Sequence, residues 1–426
     1  MGRIYSTEAK NHSDKEITLN GWVDTIRALG KISFVIIRDR CGKIQAVAKA
    51  DSPVFEKIKG LSREDVIEAK GTVKLNENAA GGAEVLLSSI DILNKSEPIP
   101  IEFSGKIETS LSKRLDYRYI DLRNPQNRLI FEIKSKITGL FCEFLHKQGF
   151  IEMHTPKIVS LGAEGGSEQF PILYYDKEGY LAQSPQLYKQ LMQGAGFEKV
   201  FEIGPVYRAE KSHTVRHISE YWGLDCEISF IKSYEEVMDL LEAVIRFALD
   251  RLKAENMEDI KSFGVDFPKY STPFPRLTLE EAFSLIGRPA SDPTPEEEKL
   301  ISQKILEKYG SDFAFITQYP VEARPFYTHK NPKNPQLTDS FDVFFRGIEI
   351  TTGGQREHRS EFLELQAKEK NISISSLSSY MEAFKYGMPP HGGFGLGIER
   401  FVMQLLGIEN IREAVLFPRD TERLTP

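Results

Sequence analysis

Sulfur is scarce in this chain of 426 residues. Its three cysteines, Cys41, Cys142 and Cys226, stand singly, read as lying inside apolar strands or helices, and have no paired ligand spacing. That excludes a disulfide framework and a zinc site, and leaves buried, inert thiols as the expectation. No apolar run approaches the roughly 18 residues of a bilayer span. The N-terminal Met1-Gly-Arg-Ile-Tyr-Ser lacks the basic-then-apolar layout of a secretory signal, so a cytoplasmic protein with no membrane partner is expected. A Walker-type Gly-Lys-Ser/Thr is missing, as are internal repeats and low-complexity tracts. The formal charge of −7 argues against an all-over basic nucleic-acid binder, although local patches stay open because the field over the contact face decides binding.

What is present reads as two or three globular domains. Residues 1–104 carry short strands between turn signals: Ile17–Val23, Ile32–Arg38, Lys43–Ala48, Val66–Val73 and Ala83–Leu87 running on to Ile92, with a helix-like Pro53–Lys59 between the third and fourth. Five strands with that helix placement fit an OB-fold β-barrel. Pro98 and Pro100 mark a boundary, and 105–123, with Lys113, Arg114, Arg118 and Arg123, reads as a basic hinge. From 124 to 426 helices alternate with strands in one large domain, so the fold class is α+β. The stretch Arg288-Pro-Ala-Ser-Asp-Pro-Thr-Pro-Glu-Glu-Glu298 reads as a solvated connection without chemistry.

Three segments carry the chemistry. Phe201-Glu-Ile-Gly-Pro-Val-Tyr-Arg-Ala-Glu210 sets an Arg and a Glu two apart on one strand face. A polar loop with Lys211, His213, Arg216 and His217 follows, then a second strand with Tyr221, Asp225 and Glu227. Gly395-Leu-Gly-Ile-Glu-Arg400 runs into the apolar helix Phe401–Leu406, and Phe150-Ile-Glu-Met-His-Thr-Pro156 closes a long amphipathic helix. Gly393-Phe-Gly-Leu-Gly397 has the spacing GxGxG, not the dinucleotide fingerprint, and fits a backbone pressed close to a flat ligand.

These segments resemble motifs 2, 3 and 1 of the class II aminoacyl-tRNA synthetases, and the resemblance extends along most of the chain to the aspartyl branch of archaeal type. It implies an ATP-dependent aspartate–tRNA ligase with an antiparallel-sheet catalytic domain, using Mg²⁺, L-aspartate and tRNA(Asp), and leaves open whether tRNA(Asn) is charged too. Adenylate formation brings two anions together, so fixed positive charge at the α-phosphate is required. The resemblance gives Arg208 and Arg400 that catalytic role, Arg208 clamping the α-carboxylate and α-phosphate. Glu210 would accept from the adenine amino group, Tyr221 and Arg400 would sandwich the ring, and Arg216 and His217 would hold the outer phosphates. Glu349 and Thr352 would be the magnesium ligands. Asp342 reads either as a water-mediated ligand or as an ion-paired strand residue.

For the amino acid, the resemblance assigns Lys189 and Arg356 to the β-carboxylate with Asp225 orienting them, and Glu164, Ser184 and Gln186 to the α-ammonium, Glu164 from a loop expected to close. Thr352 and Arg208 complete the aspartate set. In the barrel it assigns Arg27, Phe34, Gln45 and Glu84 to the anticodon, Phe34 by stacking; without the rest of the chain Phe34 would read as a core aromatic. Asp24, and Ala80 near a second such position, stand where relatives of narrow and broad tRNA range often differ. The chain has no room for the large insertion of bacterial aspartyl enzymes between motifs 2 and 3. A homodimer through the helix ending at Pro156 is expected. Rival readings are an asparaginyl enzyme, opposed by Lys189; an aspartate-amidating ligase, opposed by the barrel; and a non-enzymatic RNA-binding paralogue, opposed by the intact Arg208, Glu349 and Arg400.

Overall fold

The structure, a computed structural model, describes residues 3–105, 107–160, 168–211 and 214–426. It divides into two compact units, 1–102 and 103–426. In the first, strands β1 (Glu16–Leu29), β2 (Ile32–Arg38), β3 (Lys43–Lys49), β4 (Val66–Leu75) and β5 (Ala83–Asn94) form a closed barrel in the order β1-β2-β3-β5-β4. Alternation builds it: along β2, Ser33, Val35 and Ile37 point inward while Phe34 and Ile36 stay half-buried on the outside. The helix Val54–Lys59 supplies Val54 and Ile58 to the same core. Strand β1 runs well beyond Val23, through the Arg27↔Phe34 pairing with β2. Cys41 is exposed in the turn after β2, contrary to the expectation of three buried thiols; Cys142 is half-buried and Cys226 buried.

The segment read as a basic hinge belongs to the second unit and is firmly held there. Arg118 is fully buried, paired with Asp121 at 2.6 Å, and donates to the carbonyls of Glu413, Val415 and Leu416 at 2.9, 3.1 and 3.2 Å. A buried guanidinium has to spend its donors this way, and doing so straps the start of the unit to its last segment.

The remaining strands are β6 (Ile151–Glu152), β7 (Ile158–Val159), β8 (Pro171–Tyr174), β9 (Lys177–Leu181), β10 (Lys199–Tyr207), β11 (Glu220–Ser229), β12 (Arg276–Thr278), β13 (Phe313–Thr317), β14 (Ser340–Phe345), β15 (Ile348–Gln355) and β16 (His391–Gly397). Eight of them form one sheet in the order β12-β13-β14-β15-β16-β11-β10-β6, and β7, β9 and β8 form a small second sheet. The large sheet is antiparallel except at its two ends, where β10/β6 and β12/β13 run parallel. Helix Pro125–Lys147 starts on an Asn124 cap with Pro125 in its first turn. Its Ile130, Ile133, Ile137, Leu140, Phe141 and Leu145 recur at helical spacing and bury one stripe in the core with helices Glu235–Glu255 and Ile398–Leu406. Each such side chain contributes about 1.5–3 kcal/mol by leaving water. Among the described residues no helix is long and apolar enough to cross a membrane.

One glycine decides how closely the central strands approach. A Cβ at Gly393 would sit 2.0 Å from the carbonyl oxygen of Cys226 and 2.2 Å from Oε2 of Glu227. This glycine accommodates a buried carboxylate of the neighbouring strand, whereas Gly395 and Gly397 are the ones beside the cavity described below. Gly393→Ala should therefore destabilise the protein by about 1–3 kcal/mol, read from its urea unfolding midpoint, whereas Gly139→Ala, at an open site inside helix Pro125–Lys147, should stabilise it slightly.

Candidate active site

Strands β10 and β11 pair antiparallel, Val206↔Tyr221 and Glu202↔Asp225, and the pairing continues into the loop through the amide of Arg208, which donates to Ser219 O at 2.9 Å. The amide of Ser219 in turn donates to Arg419 O at 2.7 Å, so the C-terminal segment braces the hairpin. Across β11 lies β16, leading into the helix that bears Glu399 and Arg400. Glu399 is buried and accepts from Nζ of Lys134 at 2.6 Å and from the amide of Trp222 at 3.0 Å. That clamp seats Arg400, whose Nη1 donates to the carbonyl of Glu349 at 3.0 Å.

All the residues assigned to the nucleotide, Arg208, Glu210, Arg216, His217, Tyr221, Glu349 and Arg400, line a single cavity of about 400 Å³. The guanidinium of Arg208 lies 5.9 Å from the centroid of the Tyr221 ring. Burial pushes the His217 imidazole below its ordinary pKa; Glu210 opposes this while Arg400, Arg216 and Arg208 add to it. A cationic, partly dry wall of this kind is a receptor for a polyanion. Glu349 and Thr352 line the same cavity, with the Thr352 hydroxyl donating to Glu349 Oε1 at 2.8 Å.

No group of three or more His, Cys, Asp or Glu among the described residues could hold a metal by itself. One carboxylate with a neighbouring hydroxyl suits a hard cation that keeps its water and takes other oxygens from a triphosphate. Asp342 is not on the cavity wall: it is buried and ion-paired with Arg324 at 2.8 Å. Burial raises its carboxyl to about 6, with Arg324 opposing and Glu349 adding to the rise. Of its two readings, the ion-paired strand residue is the one this geometry matches.

Ser184, Gln186, Asp225, Thr352 and Arg356 line the same cavity. Glu164 and His213 lie outside the described residues. Lys189 is fully buried and does not reach the wall. Its ammonium stands behind Asp225, 3.1 Å from Oδ1, and 3.3 Å from Oε2 of Glu227, with the carbonyls of Phe394 and Cys226 at 3.0 and 3.3 Å. A group so surrounded must be held by acceptors because water cannot reach it. Arg356 is oriented by Glu227 and not by Asp225: Nε donates to Glu227 Oε1 at 3.0 Å and Nη2 to Gln186 Oε1 at 3.3 Å. Burial works to raise Glu227, yet Arg356 and Lys189 hold its carboxyl below the usual range. Burial raises Asp225, against Lys189. Behind them His391 is driven down to about 4 by burial and is neutral, sharing a 2.9 Å hydrogen bond with Gln190 Nε2.

Two buried acids beside the cavity have no role assigned from the sequence. Glu227 occurs on the same strand face as Asp225, two residues on, a signal that was available. Glu298, read as part of a solvated connection, is in the first turn of helix Pro295–Tyr309, mostly buried and paired with Arg216. The Thr294–Glu297 capping box that starts this helix was the available sign.

In the barrel, Arg27 pairs across from Phe34, Ile36 from Gln45, and Gln45 from Glu84, so the four anticodon candidates share one outer face. Phe34 is half-buried on that face and not part of the barrel core. Glu84 accepts from Gln45 at 3.3 Å and from Asn76 at 3.2 Å. Asp24 is held by Lys43 at 2.9 Å and Arg38 at 3.3 Å.

Residues 110–421 match the family model for class II tRNA synthetases (D, K and N), and residues 17–93 match that for the OB-fold nucleic acid binding domain. The chain belongs to the class II tRNA synthetases of this D, K and N group. It is 44% identical, over 99% of both chains, to the aspartate–tRNA(Asp) ligase of Pyrococcus abyssi. It is 44% identical to the aspartate–tRNA(Asp/Asn) ligase of Methanopyrus kandleri, over 97% of this chain and 96% of that one. Its fold is similar to the asparaginyl-tRNA synthetase of Pyrococcus horikoshii complexed with asparaginyl-adenylate, with a TM-score of 0.94, 32% identity and complete coverage of both chains.

Proposed function

We propose that this chain is an ATP-dependent aspartate–tRNA ligase. The observation that carries the reading is the gathering of Arg208, Arg216, His217 and Arg400 in one cavity that also holds Glu349 and Thr352 and reaches Asp225 and Arg356. In the first step an oxygen of the aspartate α-carboxylate attacks the α-phosphorus of ATP and pyrophosphate leaves. Arg208 binds both reacting anions, and Arg400 sits over the adenine opposite Tyr221. Glu349 and Thr352 would hold Mg²⁺, which when bound offsets phosphate charge. In the second step the 2′- or 3′-hydroxyl of the tRNA terminal adenosine displaces AMP from the adenylate.

Selection of aspartate is assigned to Arg356 at the wall, fixed by Glu227, and to Lys189 behind Asp225. A neutral amide entering here would leave donors mismatched in a dry pocket. Full-length identity to aspartate ligases supports this choice, because the asparaginyl relative shares the fold and so the fold alone does not discriminate. The barrel face of Arg27, Phe34, Gln45 and Glu84 would receive the anticodon of tRNA(Asp). Asp24 is engaged by two cations, so a base amino group reaching it would compete with Lys43 and Arg38. A homodimer is supported by the short edge strand β6, whose Ile151 is 48% exposed directly after the long helix.

Exchange of pyrophosphate into ATP should depend on aspartate and Mg²⁺; comparable exchange with asparagine would sink the assignment. Arg208→Ala and Arg400→Ala should each lower exchange by about 100-fold or more while circular dichroism stays unchanged. Phe34→Ala should raise the KM for tRNA(Asp) by the equivalent of about 1–3 kcal/mol and leave exchange untouched, since stacking on a base plays no part in adenylate formation. Aspartylation of purified tRNA(Asp) and tRNA(Asn) measures the tRNA range, and failure on tRNA(Asp) refutes the function. Light scattering should give a mass twice that of the 48.4 kDa chain.

A further inference from the structure

We infer that Glu298 is a positioning residue for the nucleotide: it fixes the guanidinium of Arg216 at the phosphate end of the cavity and ties it to the strand that carries Glu349. The inference rests on reading this cavity as an ATP site. Oε2 of Glu298 meets Nη2 of Arg216 and accepts the backbone N–H of Glu349 at 3.1 Å. One carboxylate thus joins the loop between β10 and β11 to β15. The two side chains are 13% (Arg216) and 10% (Glu298) exposed, so little solvent competes for the pair. Arg216 and Glu349 line the cavity and Glu298 does not, so Glu298 acts on a ligand only through these two, and the Arg216→Ala background below separates the Arg216 route from the other.

A second observation points to a ligand. Nε and Nη1 of Arg216 are buried and have no hydrogen-bond partner among the described residues. A guanidinium is a rigid planar fork, so seating one nitrogen fixes the direction of the others. Buried donors without acceptors are costly, and phosphate oxygens arriving in the cavity would remove that cost. Burial raises the Glu298 carboxyl above its ordinary range, with Arg216 and the Glu349 amide opposing and the Glu349 charge adding. The helix that delivers Glu298 is started by Thr294 and Glu297, so exchanging Glu298 leaves its cap intact.

The test is pyrophosphate exchange at varied ATP and at varied aspartate, for Glu298→Ala, Glu298→Gln, Arg216→Ala and the double alanine variant, each checked by urea unfolding. Glu298→Ala should raise the KM for ATP about tenfold and leave the KM for aspartate unchanged. Glu298→Gln, which keeps an acceptor for both partners, should recover part of that loss, with a rise of about threefold. In the Arg216→Ala background the second substitution should add nothing. If Glu298→Ala does not fold, Glu298→Gln carries the test by the same contrast between the two substrates. A normal KM for ATP in the Glu298 variants beside a raised one in Arg216→Ala would overturn the inference, as would additive losses in the double variant. An unchanged KM for ATP in Arg216→Ala would remove the phosphate role of the loop itself, and the inference with it.

Discussion

Glu227 is a carboxylate with no access to water, and much of the catalytic sheet is arranged around keeping it charged. Lys189 reaches it from the helix Gln186–Gly194 and Arg356 from the end of β15. The strand on its other side has a glycine where any side chain would strike its oxygen. Removing a charge from water costs several kcal/mol, and only a partner on each side recovers it. The cations are therefore compensated within the protein, and Asp225 and Arg356 present the edge of this arrangement to the cavity. Specificity built this way is preorganised: the donors do not have to move or dehydrate when a substrate enters.

The nucleotide end obeys the same constraint with different residues. Arg400 is seated by its bond to a backbone carbonyl and by the Glu399 clamp beneath it, and Arg216 by Glu298. Each arginine is held on one side by an acceptor from a different element. The cavity's positive charge thus depends on acids that hold its arginines, Glu399 at its edge and Glu298 outside it, and the formal charge of the chain says nothing of its local sign.

Much of this was legible from sequence where the information is local. The two-residue period of Ile32–Arg38 and Lys43–Ala48 exposes the barrel, whereas Arg208 and Glu210, which read as one strand face, follow the end of β10 at Tyr207 and still both line the cavity. Strand β1 reads short in the sequence because its end, Arg27-Ala-Leu29, is exposed and runs past the barrel core without alternation. What stayed hidden depends on neighbours distant in the chain. Lys189 reads as a pocket cation until Asp225 and Glu227 are seen to enclose it. Asp342 keeps two readings until Arg324 is seen beside it. Arg118 reads as hinge charge until the carbonyls of residues 413, 415 and 416 receive it. Charge in a sequence gives no depth, and Glu298, at the end of a proline-rich run, looks solvated for that reason.

The strand order has a consequence for how the chain acquires its structure. Every pairing in the barrel joins residues within the first unit, whereas β11 lies between β10, its neighbour in sequence, and β16, which comes near the end of the second. Loop closure over such a separation is slow compared with the local pairings of the barrel. Until β16 arrives, Lys189 lacks the Phe394 carbonyl, and Glu227 has water where Gly393 will stand. The barrel's pairings thus lie wholly in the first part of the chain, while the surroundings of Glu227 and Lys189 are completed by a segment near its end.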